Sequence, residues 1–190
     1  MKTETQATIT DLYDVPDNGK AELVDGEIVL MSPTGGLPGY AGDEIYVSLR
    51  SYARHIGRGV AVSDNKAFIV DLPNRKSFSP DAGFYVGKMS ANFYKGAPLL
   101  AVEVRSVGDY GPTAERKIAA KCADYFAAGT QVVWDVDVLK EEVVRVYRKG
   151  SAGGPTIYGR GEIAEAEPAV PGWSMPVDDM FYPETDNKEE

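Results

Sequence analysis

Cysteine and histidine are nearly missing from this 190-residue chain, with Cys122 and His55 the single examples of each. One cysteine cannot close an internal disulfide, which fits a reducing compartment and leads us to expect a cytoplasmic protein. One histidine excludes His-rich zinc sites and leaves any Ser-His-Asp triad dependent on that residue alone. No apolar run approaches the roughly 20 residues that a membrane-spanning helix needs. The first ten residues, MKTETQATIT, lack a basic segment followed by an apolar core, so no secretory leader is expected there. Positive charge is also in deficit, with 20 Lys and Arg against 29 Asp and Glu and a net charge of -9. At first sight this argues against nucleic acid, whose phosphates need cations. The deficit is uneven, however. Residues 161–190 hold nine acids and one lysine, which leaves residues 1–160 near neutrality at -1. The segment from about 161 reads as a solvated acidic end of a single domain over residues 1–190.

What the chain does have is hydrophobic patterning sufficient for one core, at 43% hydrophobic residues. After a short polar lead, Glu22 to Met31 places Asp25-Gly26 between two apolar runs, the signature of a tight hairpin. Ser32 to Gly39 (SPTGGLPG) reads as a loop, and Tyr40 to Ile56 as a helix with Ile45, Leu49, Tyr52 and Ile56 on one face. Arg50, Arg54 and Arg58 form an exposed basic row on it, with His55 at the surface beside them. Strand-like runs follow at Val60 to Val70 and Ala82 to Val86, joined by a polar link from Asp71 to Asp81. Another strand covers Leu99 to Arg105. Pro112 to Ala128 reads as a helix, with Pro112 in its first turn, an apolar stripe that buries Cys122, and Gly129 as its stop. Strands at Gln131 to Val136, Val143 to Tyr147 and Thr156 to Tyr158 complete a mixed sheet flanked by helices, in the α/β or α+β class.

One strand carries a residue out of place. In Leu99-Leu100-Ala101-Val102-Glu103-Val104-Arg105-Ser106 a carboxylate interrupts an apolar run, and burying it without a partner would cost several kcal/mol, roughly. Strand alternation puts Glu103 on one face with Leu99, Ala101 and Arg105. A salt bridge from Glu103 to Arg105 is one account; a metal ligand is the other. Asp81 follows Pro80 at the start of a neighbouring strand and could bring a second carboxylate to the same point. Two acids held together repel unless a cation lies between them, and a hard divalent ion such as Mg²⁺ (or Mn²⁺) suits an all-oxygen donor set. Lys117, Lys121 and Tyr125 are spaced four apart on their helix and share one face. From there Lys121 could aim an ammonium at the acid pair and stabilise charge on a phosphorus undergoing attack. A pair of carboxylates could also serve a glycoside hydrolase, but that reading gives Lys121 no role.

Pro80-Asp81, Glu103 and a helix lysine resemble the PD-(D/E)XK nuclease superfamily. More closely, ELVDGE (22–27), MSP (31–33), SPDAGF (79–84), AVEVRS (101–106), KCADYFAAGT (121–130), VVWDVD (132–137) and Pro171-Gly172-Trp173 resemble the Uma2 family, also called DUF820. The resemblance runs from about Leu12 to Phe181. It implies a restriction-endonuclease-like core with a metal site on one edge of the sheet, and a Mg²⁺-dependent endonuclease acting on DNA. Asp81 and Glu103 would be its metal ligands, Lys121 its catalytic lysine, and Glu22 a further acid near the site. Arg75, Lys76, Arg105 and Lys117 are the expected contacts to the nucleic-acid backbone, with Arg50 and Arg54 as further candidates, and a homodimer is the expected assembly. Three positions depart from the family pattern. Arg105 stands two residues after Glu103 where the strict motif has lysine, TGGLPG (34–39) lacks a histidine common in relatives, and Lys117 replaces an acid. These departures keep open a catalytically inactive nuclease-fold protein that binds nucleic acid or another protein.

Overall fold

The structure is a computed structural model that describes residues 6–183. Its thirteen strands are β1 (Ala21–Val24), β2 (Glu27–Leu30), β3 (Val60–Ser63), β4 (Phe68–Ile69), β5 (Ser77–Phe78), β6 (Ala82–Tyr85), β7 (Tyr94–Lys95), β8 (Leu100–Val104), β9 (Val132–Val136), β10 (Val144–Arg148), β11 (Thr156–Tyr158), β12 (Ile163–Glu165) and β13 (Ser174–Pro176). The helices are α1 (Ile9–Tyr13), α2 (Gly36–Ile56) and α3 (Pro112–Ala128), with single 3₁₀ turns at Pro16–Asn18 and Val177–Met180. A six-stranded mixed sheet in the order β11-β10-β9-β8-β6-β3 forms the centre. All its pairings are antiparallel except β8 with β9, which run parallel because α3 provides the crossover between them.

The sheet separates two cores. Leu100, Val102 and Val104 of β8 point to the α2 side, where they meet Ile45 and Leu49, while Ala101 points to the α3 side with Cys122, Tyr125 and Val133. Period-two alternation therefore sends Glu103 towards α3, as the sequence predicts. Leu99, one residue ahead of β8, departs from that alternation and packs on the α2 side. The β1–β2 hairpin turns through Asp25 (φ 50°) and Gly26 (φ 78°), the left-handed pair a two-residue hairpin requires.

Several expected boundaries shift for identifiable reasons. Helix α2 begins at Gly36, four residues earlier than its apolar spacing indicates, because first-turn amides have no intrahelical acceptor and Pro38 is tolerated there. The run from Val60 to Val70 is broken into β3 and β4 by a turn in which Asn65 takes a φ of 57°. Part of the polar link, Ser77–Phe78, pairs as β5 with β4. The largest correction concerns the acidic segment. Between residues 161 and 183 it forms β12 and β13 and buries Ala164, Val170, Trp173, Met175, Val177 and Met180 against α2 and the sheet, with its acids facing outward. The acids at 184–190 lie outside the described residues. Among the described residues, no helix is long and apolar enough to cross a membrane.

Candidate active site

The hairpin places the first acid. Residues 74–78 run alongside β1: Asp25 N–H donates to Asn74 O (2.7 Å), Lys76 N–H to Leu23 O (2.9 Å) and Leu23 N–H to Ser77 Oγ (2.8 Å). Glu22 is thereby driven inward, and it is only 3% exposed. Its Oε1 accepts from Ser79 N–H (2.9 Å) and lies 2.9 Å from Lys121 Nζ, while its Oε2 is paired with Arg75. Arg75 also donates to Asp124 on α3 (2.9 Å) and lies over the Phe78 ring. Burial pushes the Glu22 carboxyl up, but Lys121 and Arg75 outweigh it and hold it below the ordinary value.

The other two acids face a cleft of about 530 Å³. Asp81 stands immediately before β6, where its backbone N–H bonds Val102 O (3.0 Å) and its Oδ2 accepts from Val104 N–H (2.7 Å). Its Oδ1 is 2.5 Å from Lys20 Nζ. Glu103 accepts from Tyr125 Oη (2.6 Å) and Lys121 Nζ (2.7 Å), two side chains one helical turn apart on α3. Tyr125 is fixed in turn by stacking on Phe78, with ring centroids 4.0 Å apart. Burial pushes the Glu103 carboxyl up, Lys121 draws it back, and the negative charges of Asp81 and Glu22 push it up again, to about 6. Burial opposes the charge on Lys121, but Glu103 and Glu22 more than compensate and keep the ammonium protonated.

Three residues expected to converge, Asp81, Glu103 and Lys121, line this one cleft, with Glu22 directly behind Lys121. The expected backbone contacts divide differently. Lys117 is exposed on the lip of the cleft. Lys76 is partly exposed and paired with Asp71 at 2.5 Å. Arg75 and Arg105 do not fit a nucleic-acid contact, since both are buried with their guanidinium groups taken by carboxylates. Arg105 grips Asp135 on β9 through Nε (2.7 Å) and Nη2 (2.6 Å) and also holds Glu115. It makes no pair with Glu103, so the simple salt bridge considered from the sequence is not the arrangement found. Arg50, Arg54 and His55 are exposed on the far half of α2.

Sequence reasoning missed Lys20. The signal available was alternation from Glu22, which the family resemblance indicated: residues two apart on one strand share a face. Asp64, 2.7 Å from Lys20, was hidden inside what read as a continuous strand.

Among the described residues, no group of three or more His, Cys, Asp and Glu side chains forms a metal cage. Glu22 is paired with Arg75 and Lys121, and Asp135 with Arg105. Four acids line the cleft; Asp135 is gripped by Arg105 and Asp109 accepts from Ser106 N–H, and the remaining pair is Asp81 and Glu103. That donor set fits Mg²⁺, which prefers one or two carboxylates with several waters.

A central mixed sheet with a helical crossover between β8 and β9, and two acids supplied at the adjacent interior strands β6 and β8, is the restriction-endonuclease-like core that the resemblance implies. The fold is shared with a solved structure titled as a putative nuclease belonging to DUF820 from Anabaena variabilis ATCC 29413, at a TM-score of 0.73 and 18% identity, covering 92% of this chain and 97% of that one. Residues 8–178 match the Uma2 family, described as "Putative restriction endonuclease". The chain belongs to the Uma2 family. No curated protein matches it.

Proposed function

We propose that this protein is a metal-dependent endonuclease that hydrolyses phosphodiester bonds in DNA. The observation that supports this reading best is Lys121, held charged between Glu103 and Glu22 at the edge of a cleft that also receives Asp81. Asp81 and Glu103 would hold Mg²⁺ or Mn²⁺, which when bound supplies an activated water and charge neutralisation at the phosphate. Lys121 stays protonated, so its role is to donate: it orients the attacking water and stabilises negative charge at the phosphorus, and it is not the base. Glu22, Arg75 and Tyr125 position Lys121 and Glu103. Lys117 meets the backbone from the lip. We place the protein in the cytoplasm and expect a homodimer, which sedimentation would register.

Cleavage of supercoiled and single-stranded DNA with Mg²⁺ or Mn²⁺ tests the reading. Wild type should cut, and Asp81→Asn and Glu103→Gln should each lose at least about 100-fold in rate. Absence of cutting with either metal contradicts it, as does cutting that survives both substitutions. A silent nucleic-acid or protein-binding role is favoured by one observation, the complete internal pairing of both acids by Lys20 and Lys121. On that reading Mg²⁺ leaves the Tm unchanged; on ours it raises it.

A further inference from the structure

Lys20 occupies the position of a competing cation. Its ammonium lies 2.5 Å from Asp81 Oδ1 and 2.7 Å from Asp64 Oδ1, and its side chain is only 14% exposed. The hairpin that carries Glu22 behind Lys121 also carries Lys20, two residues earlier, to Asp81. Burial opposes the charge on Lys20, but Asp81 and Asp64 compensate for it.

Its two carboxylate partners differ in kind. Asp81 is anchored, with its second oxygen fixed by Val104 N–H at 2.7 Å. Asp64 sits in the turn after β3 with a side chain 43% exposed, and its Oδ1 also accepts Asn65 N–H at 2.6 Å. An ammonium and a divalent ion on the same Asp81 carboxylate repel each other. If a divalent ion takes Asp81, the ammonium needs a second partner, and Asp64 already holds it.

We propose that Lys20 is a positioning residue that competes with the divalent metal for Asp81, and that Asp64 draws its ammonium aside, so that the two together set the affinity of the site for its cation. This rests on the reading of Asp81 and Glu103 as the metal-holding pair. In the metal-free protein Lys20 and the Val104 N–H together hold the two oxygens of the Asp81 carboxylate in place. Its departure towards Asp64 accompanies metal binding.

Calorimetric titration of the full chain with Mn²⁺ tests this without any readout of cleavage. Lys20→Met and Lys20→Gln should bind Mn²⁺ about tenfold more tightly than wild type, while Lys20→Arg, which keeps the charge, should not. Asp64→Asn should bind about tenfold more weakly, because the ammonium is then left with Asp81 alone. That weakening should vanish in the Lys20→Met background. Were Asp64 acting only through its own charge on the metal, the weakening would persist there, and the proposal would be overturned. Unchanged or weaker affinity in both neutral Lys20 variants, folded by their thermal transitions, also overturns it. Failure of the underlying reading looks different: wild type binds no Mn²⁺, or binding survives both Asp81→Asn and Glu103→Gln. Lost binding in those two variants with unaltered affinity in the neutral Lys20 variants removes only the role of Lys20.

Discussion

Glu22 and Lys121 show how a buried charge becomes useful when its partners are fixed. Lys121→Met removes the donor facing the cleft and leaves Glu22 and Glu103 with less compensation, so cleavage should fall about 100- to 1,000-fold. Metal affinity, read by Mn²⁺ titration, should not fall, since Lys121 lies against Glu103 as Lys20 lies against Asp81. Glu22 contributes mainly to stability. Glu22→Gln strips Arg75 and Lys121 of a shared buried partner and should cost about 3 kcal/mol in denaturant unfolding at neutral pH. The pH dependence has a definite sign. Because the folded Glu22 carboxyl lies below its ordinary value of 4.5, its stabilisation is full above that value and is lost as pH falls through the lower folded value. Thermal unfolding in EDTA should therefore show wild type and Glu22→Gln converging as pH drops below about 4.5. Constant separation down to the lowest folded pH contradicts this. At this scale Glu103 and Lys121 were legible, since alternation and i,i+4 spacing are local rules, and Asp81 stood out after Pro80 at a strand entry; Glu22 was indicated only by the family resemblance. The pairing of Arg105 with Asp135 was not, because it depends on which strand becomes β8's parallel neighbour.

The elements deliver those residues through a small number of backbone constraints. The β1–β2 hairpin must turn tightly for Glu22 to reach Ser79, and Gly26 at φ 78° makes that turn available. Gly26→Val forces a β-branched residue into a left-handed conformation and should destabilise the protein by about 1–3 kcal/mol. Because the hairpin also seats Lys20 and Glu22, the same variant should change Mn²⁺ affinity; a stability loss with unchanged affinity would show that the acids hold their places without it. The hairpin and α3 are readable in the sequence because each carries its own signals, Asp25-Gly26 in one and Pro112 with Gly129 in the other. Strands β5 and β7 are not readable. They are two residues long, and what makes them strands is their pairing with β4. Backbone geometry at Asn65 likewise broke an apolar run that hydrophobicity alone reads as continuous.

At the scale of the whole molecule, charge and burial separate along the same segment. Residues 161–183 are rich in acids yet close the α2-side core, because Ala164, Val170, Trp173, Met175, Val177 and Met180 point inward and the carboxylates outward. Net charge described the surface of that segment and concealed its inner face. Trp173 is the strongest case: it lies 5.0 Å from Trp134 ring to ring and its indole N–H bonds Ser48 Oγ at 3.1 Å. Trp173→Ala should cost about 3–5 kcal/mol in denaturant unfolding. A loss below 1 kcal/mol, roughly, would mean the segment is dispensable to the core. With that face closed, the opposite face of the sheet is left to present Asp81, Glu103 and Lys121 to solvent through one cleft.

The central claim is that Asp81 and Glu103 share one divalent cation beside Lys121. Anomalous diffraction from crystals soaked in Mn²⁺ addresses it most directly. The expected result is a single strong peak between the Asp81 and Glu103 carboxylates, absent in Glu103→Gln crystals treated in the same way. A featureless cleft at saturating Mn²⁺, or a peak that persists unchanged in the variant, would contradict it.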